Sequence, residues 1–239
     1  MQSKMLFTAG ERTLPYLFYC PKSYSIDENK EWPLLLFLHG AGERGDSLDG
    51  VKAHGPSKFL DGVEDFPCLV AAPQCPEDSY WPLWLTELEM LLDRLINTLK
   101  VDRRRIYLTG LSMGAIGGWQ LAVKNLLLFA AFAPVCGAMS LPASRKREFP
   151  DLVSEKQCKD KIVRLKNLPI WAFHGDEDDV VPLEETDDMI NQLQENGGRA
   201  SLTIYKGVGH DSWTETYKNP ALYEWLFAQK REDKEILAE

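Results

Sequence analysis

The sequence predicts an α/β fold, a mostly parallel, twisted sheet with helices on both faces. Short apolar runs alternate along the chain with longer segments of helical period, the pattern of strands joined by crossover helices. Several runs, among them LLLFL (34–38) and AAFAPV (130–135), are apolar without alternation, as expected of strands buried on both faces. With 239 residues, 44% of them hydrophobic, the chain is long enough for one domain with a sizeable core, and it contains neither an internal repeat nor a low-complexity tract. One domain over 1–239 is the expectation.

Strands are expected at 13–19, 33–38, 68–72, 105–109, 129–135, 170–174 and 200–205. The clearest helix is WLTELEMLLDRLINTLK (84–100), where Leu85, Leu88, Leu92, Leu95 and Leu99 fall on one stripe. A second covers 182–196, with Leu183, Thr186, Ile190 and Leu193 inward and Gly197-Gly198 as its stop. A third, rich in small residues at its start, lies between Ser112 and Asn125, and a last one over 220–229 opens on proline. The highly charged stretch 140–168 joins two expected strands and has two readings, a small lid over a pocket or a solvated surface helix.

A net charge of −9 argues against a nucleic-acid surface or attraction to acidic membranes; a neutral or cationic small molecule suits it better. The 5 cysteines are an odd number without C-x-x-C pairing, which points to free thiols rather than a disulfide framework or zinc cluster. The N-terminal MQSKMLFTAGERTLPYLFYC lacks the apolar core of a signal peptide, and no later stretch approaches the ~20 apolar residues of a membrane span, so a cytoplasmic protein is expected. Oligomeric state is not legible.

The chemistry-bearing motif is GLSMG (110–114), which places Ser112 between Gly110 and Gly114 after the run RIYLT and before a helix. That strand–turn–helix setting is what a nucleophile elbow requires; a plain glycine turn is the alternative. A serine nucleophile needs a histidine to take its proton, an acid to orient the histidine, and donors for the oxyanion. WAFHGDEDDVVP offers Asp176, Asp178 and Asp179 beyond a strand end, and spacing does not choose among them; the same acidic cluster also suits a helix N-terminus. Of the 4 histidines, His210 lies in the glycine-flanked loop YKGVGHDSW after a strand, whereas His39 and His174 end strands and read as buried structural residues, and His54 has no assignment. Ser112, an aspartate near 178 and His210 then follow the chain order Ser…Asp…His. LHGAG (38–42) follows another apolar strand, so the backbone amides of Ala41 and Met113 are the candidate oxyanion donors.

These residues resemble the phospholipase/carboxylesterase family of α/β-hydrolases, near the dienelactone-hydrolase-like serine esterases. The resemblance runs over most of the chain, through PLLLFLHGAGERGD, APQCPEDSYWPLW, YLTGLSMGAIGGW, FAAFAPVCG, WAFHGDEDDVVP and YKGVGHDSW. It implies the α/β-hydrolase fold, and it places the acid on Asp178, the base on His210 and the turn donor on Ala41. The chain departs from relatives in KNLLLFAAFAPVCG, which lacks their proline-containing turn, and in the length of the 140–168 segment. Serine at 112 argues against the cysteine chemistry of dienelactone hydrolases proper.

The expected reaction is cleavage of carboxylic esters of short to medium acyl chain through an acyl-enzyme, with a small-molecule ester as partner and no metal or organic cofactor. Gln74, Trp81 and Trp84, in PQCPEDSYWPLW after a strand end, are the candidate substrate-binding residues; a core cluster is the other reading of the tryptophans. Trp213 is expected to pack against the histidine loop. A serine peptidase, an acyl-protein thioesterase or lysophospholipase on the same triad, and a non-catalytic ligand-binding relative are the alternatives.

Overall fold

A computed structural model describes residues 1–26, 29–140 and 161–232. Its centre is an 8-stranded sheet of order β1-β2-β4-β3-β5-β6-β7-β8. The strands are β1 (Ser3–Ala9), β2 (Arg12–Tyr19), β3 (Trp32–Leu38), β4 (Leu69–Pro73), β5 (Val101–Leu111), β6 (Ala131–Val135), β7 (Ile170–Gly175) and β8 (Ala200–Tyr205). From β4 to β8 all neighbours run parallel, while β1 and β2 form an antiparallel hairpin whose second strand pairs antiparallel with β4.

β3 is buried along its whole length, and the reason lies in its neighbours: β4 and β5 flank it, and each of its faces meets a hydrophobic core. Leu34, Leu36 and Leu38 point to one core, Leu35 and Phe37 to the other, the two-residue period of a strand. The first core is closed by helices α1 (Leu85–Thr98), α2 (Met113–Lys124) and α3 (Leu183–Glu195), through residues such as Leu88, Leu92, Trp119, Ile190 and Leu193. The second is closed by the short α4 (Trp213–Lys218) and by α5 (Pro220–Ala228), through Tyr217, Leu222 and Leu226.

The expected strands and long helices are all present, with two additions and some moved ends. β1 was not expected because SKMLFTA shows no alternation: it is an edge strand that buries only Phe7 and leaves Met5 and Leu6 exposed. α4 is too short to print a period. β5 reaches back through the charged VDRRR because Asp102 is buried there, accepting hydrogen bonds from the Arg104 amide (3.0 Å) and Arg105 Nε (2.8 Å). Of the charged 140–168 segment, 141–160 lie outside the described residues; Ile162–Leu165 form a 3₁₀ turn whose Ile162 and Leu165 join the first core. No helix among the described residues is long and apolar enough to cross a membrane.

Candidate active site

β5, β7 and β8 all end at the same edge of the sheet, and the loops leaving them bring together residues distant in sequence. Ser112 occupies the turn between β5 and α2 with φ 50° and ψ −116°. Non-glycine residues seldom adopt such a conformation, which costs about 1–3 kcal/mol unless the surroundings enforce it. Here the Ser112 amide bonds to the Val135 carbonyl at 2.9 Å, and its carbonyl accepts from Ile116 N at 3.0 Å, so the turn is fixed at both ends. Gly114 lies directly against the carbonyls of Leu38 and His39, and Gly110 against the backbone of Gly114. Any side chain at either position would push the elbow off the sheet.

Asp178 lies in the loop after β7. Its Oδ1 accepts from the amides of Val180 and Val181, each at 2.9 Å, and Oδ2 lies 2.7 Å from His210 Nδ1. His210, in the loop after β8, places Nε2 2.9 Å from Ser112 Oγ. A carboxylate facing Nδ1 fixes the proton on that nitrogen and leaves Nε2 to accept from the serine hydroxyl. Burial alone would raise the Asp178 carboxyl, but the bonds from His174, His210 and the Val181 amide overcome it and hold the group well below the usual carboxylate range. The other two aspartates take different positions: Asp176 accepts from Gly207 N at 2.7 Å, tying the β7 loop to the β8 loop, and Asp179 is exposed. Trp213 packs edge-on against the His210 ring.

A cavity of about 380 Å³ opens at Ser112, with Ala41, Met113 and His210 in its wall. Met113 starts α2, so its amide has no acceptor within the helix. The turn carrying Ala41 is braced by His39, a fully buried ring. His39 Nε2 accepts from Cys75 N at 2.9 Å, so its proton sits on Nδ1, 2.6 Å from the Gly40 carbonyl. Burial lowers the His39 pKa to about 4, keeping the ring neutral.

The residues expected to bind substrate lie elsewhere. Trp81 is fully buried beneath the His39 turn, donating Nε1–H to the His39 carbonyl at 2.9 Å and packing against Gly117 of α2. Trp84 is buried too, bonded to Ser79 Oγ at 2.8 Å and covered by the Arg12 guanidinium. Gln74 holds the 43–47 loop, donating to the carbonyls of Glu43 (3.0 Å) and Ser47 (2.9 Å). Large apolar rings gain more by filling the core than by facing water, and the buried Gln74 is occupied by backbone acceptors. The cavity is instead walled by Tyr80, Ile116, Val180 and Trp213, together with His54 and the buried Glu43, which the sequence reading did not assign to the site. His54 Nε2 lies 3.6 Å from Glu43 Oε1, and burial raises the Glu43 carboxyl. The aromatic-rich PQCPEDSYWPLW stretch held a signal for Tyr80 only; Glu43 and His54 become neighbours through the fold.

Three comparisons bear on identity. A solved thermostable esterase is 32% identical with a TM-score of 0.78, over 96% of this chain and 63% of its own. A non-reducing polyketide synthase from Preussia isomera is 25% identical over 225 residues, 90% of this chain and 8% of the synthase. A bifunctional acetylxylan esterase/xylanase from Neocallimastix patriciarum is 24% identical over 168 residues, 68% of this chain and 22% of that protein. The chain thus spans a small part of both curated relatives and under two thirds of the solved esterase. The sheet order and the structural match establish the α/β-hydrolase fold. The phospholipase/carboxylesterase model matches residues 77–219, a span that contains Ser112, Asp178 and His210, and the chain belongs to that family.

Proposed function

We propose that the chain is a serine carboxylesterase in which Ser112, His210 and Asp178 act as a triad. The observation that carries this reading is the continuous path from Ser112 Oγ through His210 to Asp178, with both links under 3 Å, at the floor of a cavity. In the first half-reaction Ser112 Oγ attacks the ester carbonyl carbon while its proton passes to His210 Nε2. The carbonyl oxygen becomes an oxyanion, received by the amides of Ala41 and Met113; one such donor is typically worth about 2.7–4 kcal/mol of barrier. Collapse breaks the bond to the alcohol oxygen, which takes the proton from His210. Water then attacks the acyl-serine with His210 again as base, and the acid departs with Ser112 restored. Backbone amides hold the developing charge, so these steps call for no metal or organic cofactor.

A cavity of about 380 Å³ is near the low end of small-ligand sites and suits short to medium acyl chains. The esterase title of the solved neighbour and the acetylxylan esterase name of the curated relative agree with this substrate class. The test is a panel of aryl esters from acetyl to palmitoyl, run beside a peptide substrate on wild type and Ser112→Ala. Expected are a preference for the shorter esters and a loss of at least about 10⁴-fold on substitution. Retention of more than about a thousandth of the activity, or a peptide cleaved faster than every ester, would overturn the reading.

A further inference from the structure

Beneath the triad, at the end of β7, His174 is wholly removed from solvent, and both of its ring nitrogens face oxygen. Nδ1 lies 2.8 Å from Thr186 Oγ1, and Nε2 lies 2.9 Å from the Val181 carbonyl and 3.1 Å from Asp178 Oδ2. Thr186 has one hydroxyl hydrogen, and Oγ1 sits 2.7 Å from the Gly137 carbonyl, which can only accept. Turned to the ring instead, it would leave Oγ1 and the Gly137 carbonyl oxygen in contact at 2.7 Å with no hydrogen between them; directed to Gly137, it leaves Oγ1 to receive a hydrogen from His174 Nδ1. The Val181 carbonyl and the Asp178 carboxylate also only accept, so Nε2 must be a donor as well. A neutral ring of either tautomer would leave two acceptors facing each other in the core, a conflict with a cost like that of any unsatisfied buried polar group. Without a hydrogen on Nε2, that nitrogen would face the Val181 carbonyl; without one on Nδ1, either Nδ1 would face Thr186 Oγ1 or, if the hydroxyl turns to the ring, Oγ1 would face the Gly137 carbonyl.

We propose that His174 is a buried imidazolium that shares Asp178 Oδ2 with His210 and thereby sets the basicity of His210. The second half of this statement rests on the triad reading above; the first half does not. His174 acts through Asp178 and is a positioning residue. The titratable groups around it are Asp178 on its own loop, His210 from the β8 loop and, beyond them, the Cys136 thiol at the end of β6, which lies within 4.8 Å of both and is kept protonated by burial. From α3 the uncharged Thr186 bonds to it. With its charge partly balanced by His174, Asp178 pulls less strongly on the His210 proton, so His210 is free to act as base at a lower pH than it would beside an unshared carboxylate.

The proton count is read by ¹⁵N NMR of histidine-labelled wild-type protein between pH 6 and 9. Both nitrogens of His174 are expected to carry slowly exchanging hydrogens throughout, and Thr186→Ser is expected to keep them while Thr186→Val loses the Nδ1 hydrogen. A single protonated nitrogen at pH 7 in the folded wild type overturns the proposal without reference to activity. The second readout is the acid limb of kcat/KM for an aryl acetate in His174→Gln, whose amide still donates to oxygen but carries no charge. Its midpoint is expected to move up by about one to two pH units. An unchanged or lowered midpoint overturns the coupling. If the wild type cleaves no ester, the triad reading fails while the NMR experiment still decides the charge of His174.

Discussion

The indole of Trp213 meets the imidazole of His210 edge-on, with ring centroids 5.2 Å apart and planes at 90°. The contact packs the His210 ring in place, and Trp213 also lines both the main cavity and a second one of about 210 Å³ walled by Phe59 and Tyr217. Trp213→Ala should therefore lower kcat by about 10- to 100-fold through loss of orientation. By joining the cavities it should also shift selectivity toward longer acyl chains. Steady-state kinetics on acetyl, butyryl and decanoyl aryl esters checks both effects, and Trp213→Phe should restore most of kcat.

Asp178→Asn replaces an acceptor with an amide that can present a hydrogen to His210 Nδ1, favouring the tautomer that cannot take the Ser112 proton. The expected loss is about 10⁴-fold in kcat with little change in KM. The neighbouring Asp179→Asn serves as the control and should change kcat less than about twofold, since that side chain is exposed and lies outside the Ser112–His210–Asp178 path.

Gly114→Ala would drive a methyl group into the Leu38 carbonyl and bring it within 2.7 Å of the His39 carbonyl oxygen. Both partners are backbone and cannot swing away. We expect at least about 2–3 kcal/mol of destabilisation, read from urea unfolding, with activity falling further because the elbow carries Ser112.

The fully buried Trp81 should behave as a core residue. Trp81→Ala is expected to cost about 3–5 kcal/mol in the same unfolding assay. At a temperature where the variant stays folded, its chain-length preference should match that of the wild type.

Stability should also respond to His39. Its folded pKa is lowered from 6.5 to about 4, so between those values the unfolded chain binds a proton that the folded one refuses. Stability is then intact above pH 6.5 and falls as pH drops toward 4, by about 3 kcal/mol from this group. Urea midpoints from pH 7 to 4.5 should decline accordingly, and the slope should flatten in His39→Asn if that variant folds. The Asp178 carboxyl acts in the same direction but at lower pH: its depressed pKa adds stability above the ordinary carboxylate range, and this is lost only as pH falls through its folded value.

What the sequence could reveal depended on how local its cause was. β3 was legible because a strand flanked on both sides must be apolar throughout, and the elbow because its glycines answer backbone crowding within a few residues. That Asp178, rather than Asp176 or Asp179, faces His210 was not legible from spacing, since it depends on where the β8 loop sets His210. The tryptophans of PQCPEDSYWPLW misled for a related reason: composition shows that a ring is large and apolar, whereas the packing of Gly117 and the His39 turn decides that Trp81 faces the core. Glu43 and His54 carried no local pattern at all. β1 went unseen because an edge strand buries one residue where a central strand buries every one.

Whether His210 activates Ser112 as a nucleophile is read by incubating the protein with a fluorophosphonate and locating the adduct by peptide mass spectrometry. One stoichiometric adduct is expected, on Ser112, abolished in Ser112→Ala and slowed by at least about 10³-fold in His210→Ala. A folded wild type that stays unlabelled, or an adduct on any other residue, would contradict that role of Ser112.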